Sequence, residues 1–214
     1  MQLRLSLGTR TFEFVNTPLT FGVCGVTDLF ARKNNKTLGE TICHPKYVQL
    51  AGRVIAEYQA SIHAELGRFL YDLKQRGDPF YREFLNAHGD GEYCEFKLKD
   101  PRVKRLKGLY CFTVDGRLKY VGKSTDSFAK RIDQGHGKIH PKNCYRDGQS
   151  TNCHLNGLIA TASGEAQLHV HPMVEDDTIE RAEKALIFEY DPDWNVQMRR
   201  YKPANPAMEP AART

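Results

Sequence analysis

Apolar and polar residues alternate along two short runs at the start of the chain, residues 3–7 and 11–15. Alternation with a period of two is typical of a strand that buries one face. Between the two runs, Gly8, Thr9 and Arg10 provide a connection of the length found in tight turns. The pattern therefore predicts a β-hairpin.

After Pro45 the apolar residues recur every three or four positions, and they do so through residues 46–75. This period predicts one long amphipathic helix that ends near Gly77. Its apolar stripe suits either a core element or a dimer interface, and a core element is the commoner case. Pro79 can start a second, short helix, for which His88-Gly89 is the expected end.

Residues 97–107 are strongly basic and contain a single acid, Asp100. Because Pro101 discourages regular structure, we place a domain boundary here. Residues 1–96 then form an N-terminal region for DNA recognition or oligomerisation. Two roles suit the basic segment, a solvated linker or a strap that contacts DNA phosphates. In the second role the phosphate-binding side chains are Lys104, Arg105 and Lys107.

From Gly108 onward the pattern becomes more regular. Two short strands, residues 109–114 and 118–121, are separated by Asp115-Gly116, a strong turn dipeptide. The elements expected next are a helix at 127–134, a polar loop at 135–150, a helix at 151–162, a strand at 166–171 and a helix at 177–190.

This order predicts an α+β fold for residues 108–198, with a short antiparallel or mixed sheet flanked by helices. The N-terminal region adds mixed structure and the one long helix. Residues 199–214 are basic and then rich in proline and alanine, which predicts a flexible tail.

Composition places the chain among globular proteins, since 40% of its 214 residues are hydrophobic and 27% are charged. The sequence has no apolar run long enough to span a membrane, and its alternating start is unlike a secretory signal. We therefore expect a cytoplasmic protein. The net charge of +5 and the pI of about 8.8 are compatible with a polyanionic partner but do not require one.

The six cysteines include no Cys-x-x-Cys pair. In a cytoplasmic chain of this size, scattered cysteines are usually reduced thiols. We therefore expect no disulfides.

Five landmarks follow one another in the second half of the chain. Gly108-Leu109-Tyr110 is followed, after nine residues, by Tyr120-Val121-Gly122. Arg131 lies eleven residues beyond Tyr120, and Glu183, on the last predicted helix, lies twelve residues before Asn195. In this order and spacing the landmarks resemble the GIY-YIG nuclease family, over about 88 residues of the chain.

The resemblance implies a metal-dependent DNA endonuclease that hydrolyses phosphodiester bonds. It implies that Glu183 is the sole carboxylate ligand of Mg²⁺ or Mn²⁺ and that Arg131 binds phosphate oxygens. It also implies that Tyr110 acts as general base or orients the attacking water, with Tyr120 beside it. A phenol needs a lowered pKa for this task, and we expect nearby cations such as Lys123 to provide it and to contact the substrate.

Two further positions are assigned with the resemblance in view. Asn195 is expected to be a structural clamp that holds loops around the site. Restriction-type members often carry a histidine four residues after the arginine, as an alternative base. This chain has Gly135 at that position and His136 one residue later. His136 is therefore a candidate catalytic residue, with His140 behind it.

A zinc site is a separate hypothesis for the same segment. The spacing of histidine and cysteine is feasible for a tetrahedral site, although the segment lacks a Cys-x-x-Cys pair. The candidate ligands are His136, His140, Cys144, Cys153 and His154.

The favoured function is a sequence-specific type II restriction enzyme that cuts double-stranded DNA. Such an enzyme is expected to be a homodimer or a higher homo-oligomer, since each protomer has one site and a duplex has two strands. The alternatives are a homing, phage or repair-type nuclease and a non-catalytic DNA-binding relative.

Overall fold

The computed structural model describes residues 2–162 and 164–196. Residues 197 and 198 of the predicted domain, and the predicted tail at 199–214, lie outside the described residues. The strands are β1 (Gln2–Leu7), β2 (Arg10–Thr17), β3 (Leu19–Phe21), β4 (Phe96–Leu98), β5 (Gly108–Val114), β6 (Arg117–Ser124) and β7 (Gln167–Pro172).

Helical segments of three kinds connect these strands. The α-helices are α1 (Leu38–Ile42), α2 (Ala51–Glu57), α3 (Leu66–Gln75), α4 (Pro101–Lys104), α5 (Ser150–Thr161) and α6 (Asp176–Tyr190). Short 3₁₀ segments lie at Leu29–Ala31, Val48–Leu50, Gln59–Ser61, Pro79–Phe84 and Pro141–Cys144. Residues Ala129–His136 form a π-helical segment.

The main sheet has five strands in the order β1-β2-β7-β5-β6, and every neighbouring pair is antiparallel. β3 and β4 form a separate two-stranded sheet. The α+β prediction with an antiparallel sheet is therefore confirmed. β6 is an edge strand of the main sheet.

Both predicted hairpins are present. β1 pairs with β2, and Gly8 in the turn between them has a φ of 56°. In the second hairpin Asp115 and Gly116 have φ values of 50° and 72°. Positive φ at both central positions is the geometry of a type I′ turn, which matches the twist of the flanking strands.

The N-terminal hairpin belongs to the same sheet as the second hairpin. β2 pairs with β7 through Val15 and Val170, and β7 in turn pairs with β5. The predicted division between residues 1–96 and residues 108–198 stays a prediction. The hairpin nevertheless contributes two of the five strands.

The long helix predicted over residues 46–75 is wrong. The structure has α2 and α3 there, with the 3₁₀ segments Val48–Leu50 and Gln59–Ser61. Between the two helices the backbone bonds to another part of the chain, since Leu38 donates to the carbonyl of Ala64 and Leu66 to that of Lys36. These tertiary bonds occupy groups that a continuous helix needs for itself.

The basic segment also differs from its prediction. β4 begins at Phe96, and Pro101 starts α4 instead of preventing regular structure. The carboxylate of Asp100 accepts a hydrogen bond from the backbone N–H of Arg102 at 2.9 Å and so caps α4. Proline suits this first helical position because its missing N–H has no partner to lose there.

The second short helix is shorter than expected. It is the 3₁₀ segment Pro79–Phe84, which ends before His88-Gly89, and Asp78 caps it through the backbone N–H of Phe80.

The sheet is covered on both faces. One face packs against α5 and the π-helical segment and carries Tyr110, Phe112 and Tyr120. The other face carries Leu109 and Val121 and packs against α6. A further core joins residues from 29–93 with residues from 139–153. Along the described ranges, no helix is long and apolar enough to cross a membrane.

Candidate active site

Tyr110 is at the centre of the predicted catalytic side chains. Its side chain on β5 is fully buried, and its hydroxyl oxygen accepts a hydrogen bond from Nε of Arg131 at 3.1 Å. The same oxygen lies 2.7 Å from Nε2 of His136. Tyr120 on β6 lies beside it, with 6.0 Å between the ring centroids. The structure thus brings four of the predicted residues together.

The π-helical segment explains why a histidine five residues after Arg131 reaches the site. The backbone N–H of Gly137 donates to the carbonyl of Ile132, a step of five residues. In an α-helix the corresponding step is four, so a π-helix places residue i+5 about where an α-helix places residue i+4. The offset of His136 in the sequence is therefore absorbed by the wider helical turn.

Two glycines of the tripeptides make room for this arrangement. A Cβ added at Gly122 would lie 2.6 Å from the hydroxyl of Tyr110 and 2.7 Å from Cε1 of Tyr120. Gly108 has a φ of 142°, and a Cβ there would lie 2.3 Å from the carbonyl oxygen of His171 on β7. Gly122 thus admits the two phenols, and Gly108 allows β5 to approach β7.

The electrostatics of Tyr110 differ from the prediction. Burial raises its pKa well above the ordinary value, Tyr120 adds to this effect, and Arg131 acts in the opposite direction. The expectation of a lowered Tyr110 pKa is therefore wrong. The cation that acts on Tyr110 is Arg131, whereas Lys123 pairs with carboxylates of α6.

The contact between Tyr110 and His136 is linked to where His136 carries its proton. Arg131 Nε can only donate to the phenolic oxygen, whereas the direction of the bond between the Tyr110 hydroxyl and His136 Nε2 depends on the imidazole tautomer. In the tautomer that accepts the phenolic proton at Nε2, neutral His136 has its own proton on Nδ1. Burial lowers the pKa of His136 well below its ordinary value, and the charge of Arg131 lowers it further.

The other ring nitrogen of His136, Nδ1, differs from most buried polar atoms, which have a hydrogen-bond partner. It is buried and has no hydrogen-bond partner among the described residues, and the same holds for Oδ1 of Asn152 on α5. In the tautomer with its proton on Nδ1, the imidazole is a donor at this position, and Asn152 Oδ1 is an acceptor. Asn152 raises the pKa of His136, as a nearby acceptor would. A small shift would join the two groups.

Asn156 was not predicted and holds the backbone behind the site. It is fully buried on α5, and its Nδ2 donates to the carbonyls of Cys94 at 2.7 Å and His136 at 2.6 Å. Its Oδ1 accepts from the backbone N–H of Cys94 at 2.9 Å. An asparagine between Leu155 and Ile159 on the apolar side of a predicted helix was the signal that could have revealed it.

Glu183 lies on α6 and is 8% exposed. Burial raises the pKa of its carboxyl, while Lys123 and then Arg131 act in the opposite direction. The carboxylate lies 3.4 Å from Nζ of Lys123, which also contacts Glu180 at 3.1 Å. Burial raises the pKa of Tyr120, Arg131 acts in the opposite direction, and the charge of Glu183 adds to the rise. Glu183 is therefore within electrostatic reach of the phenol cluster.

Asn195 makes a two-point contact with β6. Its Oδ1 accepts from the backbone N–H of Val121 at 2.9 Å, and its Nδ2 donates to the carbonyl of the same residue at 2.8 Å. The edge of a sheet offers unpaired backbone groups, and here one amide side chain satisfies two of them. The contact ties the segment after α6 to β6, and the role of a clamp that holds loops around the site stays a prediction.

The three predicted phosphate contacts lie at the sheet end where β5 begins. Lys104 pairs with Asp133 at 2.9 Å, and Lys107 pairs with Asp176 at 2.7 Å. Arg105 is exposed. Two of the three cations therefore have acidic partners that a phosphate would have to replace.

The zinc hypothesis does not fit the structure. Cys144 and Cys153 are neighbours, with 4.0 Å between their Sγ atoms, but His136 is directed at Tyr110 and His140 is exposed. Within the ranges described, no group of three or more histidine, cysteine or acidic side chains could hold a metal ion.

Comparisons with protein-family models, with curated proteins and with solved structures returned no match. We therefore infer the chemistry of the site from its side chains. The guanidinium of Arg131 and the imidazole of His136 contact the buried hydroxyl of Tyr110. The carboxylate of Glu183 lies within electrostatic reach of this cluster. These groups suit phosphate binding and proton transfer.

Proposed function

We propose that this protein is a metal-dependent DNA endonuclease that hydrolyses phosphodiester bonds at this site. The observation that carries the proposal is the hydroxyl of Tyr110, which lies between Arg131 Nε at 3.1 Å and His136 Nε2 at 2.7 Å. A phosphate-binding donor and a proton acceptor thus share one hydroxyl. The order of landmarks that resembles the GIY-YIG nucleases supports the same conclusion.

His136 is the base of the proposed reaction, and Tyr110 connects it to the attacking water. As the water loses a proton to the phenolic oxygen, the phenolic proton passes to His136 Nε2. Neither group is suited to this in the free protein, because the pKa of Tyr110 is raised and that of His136 is lowered. A bound phosphodiester anion would offset the charge of Arg131 and so favour a protonated His136.

Substrate binding also has to expose the hydroxyl, since Tyr110 is fully buried. Arg131 occupies one acceptor position of that oxygen. A phosphate offers the guanidinium two charged acceptors, which bind it more strongly than one neutral hydroxyl does. Arg131 is therefore expected to move from Tyr110 to the phosphate and to leave the acceptor position to water.

Glu183 would hold the Mg²⁺ or Mn²⁺ ion. Its carboxylate is a hard oxygen ligand, and one protein carboxylate suffices because Mg²⁺ keeps several waters. Lys123 competes for this carboxylate, but it also contacts Glu180 and so keeps a partner when Glu183 binds a cation. When bound, the ion would neutralise charge that develops on the phosphoryl group.

The target is proposed to be a specific sequence in double-stranded DNA, cut by a homodimer or higher homo-oligomer. Lys104, Arg105 and Lys107 lie together where β5 begins and would contact the DNA backbone. Plasmid DNA incubated with the protein and Mg²⁺ should yield discrete bands. A smear or single nicks would instead favour a homing, phage or repair-type nuclease.

The mechanism is tested with variants whose folding is checked by circular dichroism. Glu183→Ala and Tyr110→Phe should bind DNA and fail to cut it, while Lys184→Ala, an exposed position on the same helix, should cut like the wild type. Normal cleavage by Glu183→Ala would overturn the mechanism. Binding by the wild type without cleavage of any DNA would identify a non-catalytic relative.

A further inference from the structure

Two buried thiols lie side by side outside the candidate active site. Cys144 ends the 3₁₀ segment Pro141–Cys144, and Cys153 lies in the first half of α5. Their Sγ atoms are 4.0 Å apart, and both cysteines are free thiols. Neither takes part in the chemistry proposed above. A disulfide requires about 2.05 Å between the sulfurs, so a small movement of the side chains would bring them to bonding distance.

A cleft of about 570 Å³ borders one of the two thiols. Cys153 lines it, together with Tyr93, His88 and His154. The rings of the two histidines lie against each other, with centroids 4.4 Å apart. Cys153 is itself 1% exposed, so a small local movement of the cleft wall would let an oxidant close to the size of water reach it.

The two thiols are not equivalent. The contact with Cys144 lowers the pKa of Cys153, and burial opposes this effect. Hydrogen bonding with Cys153, together with burial, raises the pKa of Cys144. Cys153 lines the cleft and Cys144 does not, so Cys153 is the sulfur that an oxidant meets first.

We propose that Cys144 and Cys153 are a redox modification site, which a peroxide converts into a disulfide. The Cys153 thiolate attacks one oxygen of the peroxide, the O–O bond breaks, and the sulfur becomes a sulfenic acid while the leaving oxygen takes a proton. The Cys144 sulfur then attacks that of Cys153. The S–O bond breaks, and the sulfenic oxygen leaves as water with the thiol proton.

The cross-link would join α5 to the turn that precedes it. α5 also carries Asn152 and Asn156, and Asn156 donates to the backbone carbonyl of His136. The disulfide would thus fix the element that supports His136. The chemistry of the thiol pair itself does not depend on the proposed nuclease activity.

The experiment uses the full chain, treated with hydrogen peroxide under native conditions and then denatured. Free thiols are titrated before and after treatment, and the blocked protein is digested with trypsin without reduction. Cleavage after Lys142 and Arg146 separates the two cysteines, into residues 143–146 and residues 147–181. We expect the loss of two of the six thiols and a cross-linked pair of these peptides, lighter by two hydrogen atoms and released by reductant.

Cys43 serves as the internal reference because its side chain is exposed. A Cys43→Ser protein should form the same cross-link, whereas Cys144→Ser should accumulate oxidised Cys153 without the disulfide. The proposal is overturned if Cys144 and Cys153 stay reduced at peroxide concentrations that oxidise Cys43. It is also overturned if the only disulfide formed joins other cysteines. Both results are obtained with the wild-type chain and need no variant to fold.

Discussion

The substitution Gly122→Ala tests the central geometric feature of the site. A Cβ at this position would lie 2.6 Å from both Cζ and the hydroxyl of Tyr110, and 2.7 Å from Cε1 of Tyr120. Contacts this short are not tolerated, and neither ring has free space to retreat, since Tyr110 is 0% and Tyr120 is 5% exposed. Overpacking of a buried site typically costs about 1–3 kcal/mol, and we expect that loss here.

Urea unfolding at equilibrium measures this loss. In thermal unfolding of a chain of this size, a loss of about 1–3 kcal/mol corresponds to a decrease in Tm of roughly 2–12 °C. Gly52→Ala is the matched control, because Gly52 lies in α2 and a Cβ there would meet nothing within 4 Å. Alanine in an open helical position should stabilise by about 0.5–1 kcal/mol. Gly122→Ala should therefore lower the free energy of unfolding, and Gly52→Ala should raise it.

The same variant separates stability from chemistry. A displaced Tyr110 hydroxyl would lose its contacts with Arg131 and His136, so any cleavage activity should fall at temperatures where Gly122→Ala is still folded. The reasoning is refuted if Gly122→Ala has the wild-type free energy of unfolding, because the phenols would then not fill the space above Gly122.

Three further substitutions probe the groups around this hydroxyl. Tyr110→Phe leaves Arg131 and His136 without their shared partner and should cost about 1–3 kcal/mol in urea unfolding; an unchanged midpoint would contradict these hydrogen bonds. Burial raises the pKa of Glu183, so wild-type stability should decline, relative to Glu183→Gln, as pH rises through and above the ordinary glutamate pKa of 4.5; a constant difference across pH would argue against the buried charge. Asn152→Leu should lower the pKa of His136 further, measured by ¹⁵N chemical shifts, and a raised pKa would show that Asn152 is not an acceptor for the imidazole.

Local sequence patterns predicted those elements whose stability is local. The two hairpins follow from alternation and from turn residues such as Gly8 and Asp115-Gly116, whose positive φ values the turns require. The pairing of β2 with β7 could not be predicted in this way. It joins Val15 to Val170, and no local pattern distinguishes this partner from the other strands.

The prediction of one long helix was wrong for the same reason, because local patterns do not contain the tertiary contacts. Apolar residues at intervals of three and four describe one helix or several helical segments in series equally well. Contacts with residues 36–39 favour separate helical segments over one helix. An example is the hydrogen bond from Gly39 N–H to the carbonyl of Ile62. Gly67 shows how close the packing is, since a Cβ there would lie 2.7 Å from the carbonyl oxygen of Phe30.

The resemblance to the GIY-YIG nucleases named side chains of the candidate site but gave no information on their electrostatics. It named Tyr110, Arg131 and His136, and the structure places them in contact. The direction of the pKa shifts depends on burial, which spacing does not reveal. Asn156 was not predicted because its side chain donates hydrogen bonds to backbone carbonyls that lie far from it in sequence.

The site concentrates features that reduce stability, which favours a functional origin. Glu183 is a carboxyl with a pKa raised by burial, and His136 is an imidazole kept neutral beside a guanidinium. His136 Nδ1 and Asn152 Oδ1 are buried without partners among the described residues. Each feature costs free energy, and a core built only for stability would replace it with apolar packing. A phosphate at Arg131 would relieve two of them, because its charge would favour protonation of His136, and an imidazolium would bind Asn152 Oδ1 more strongly than a neutral ring does.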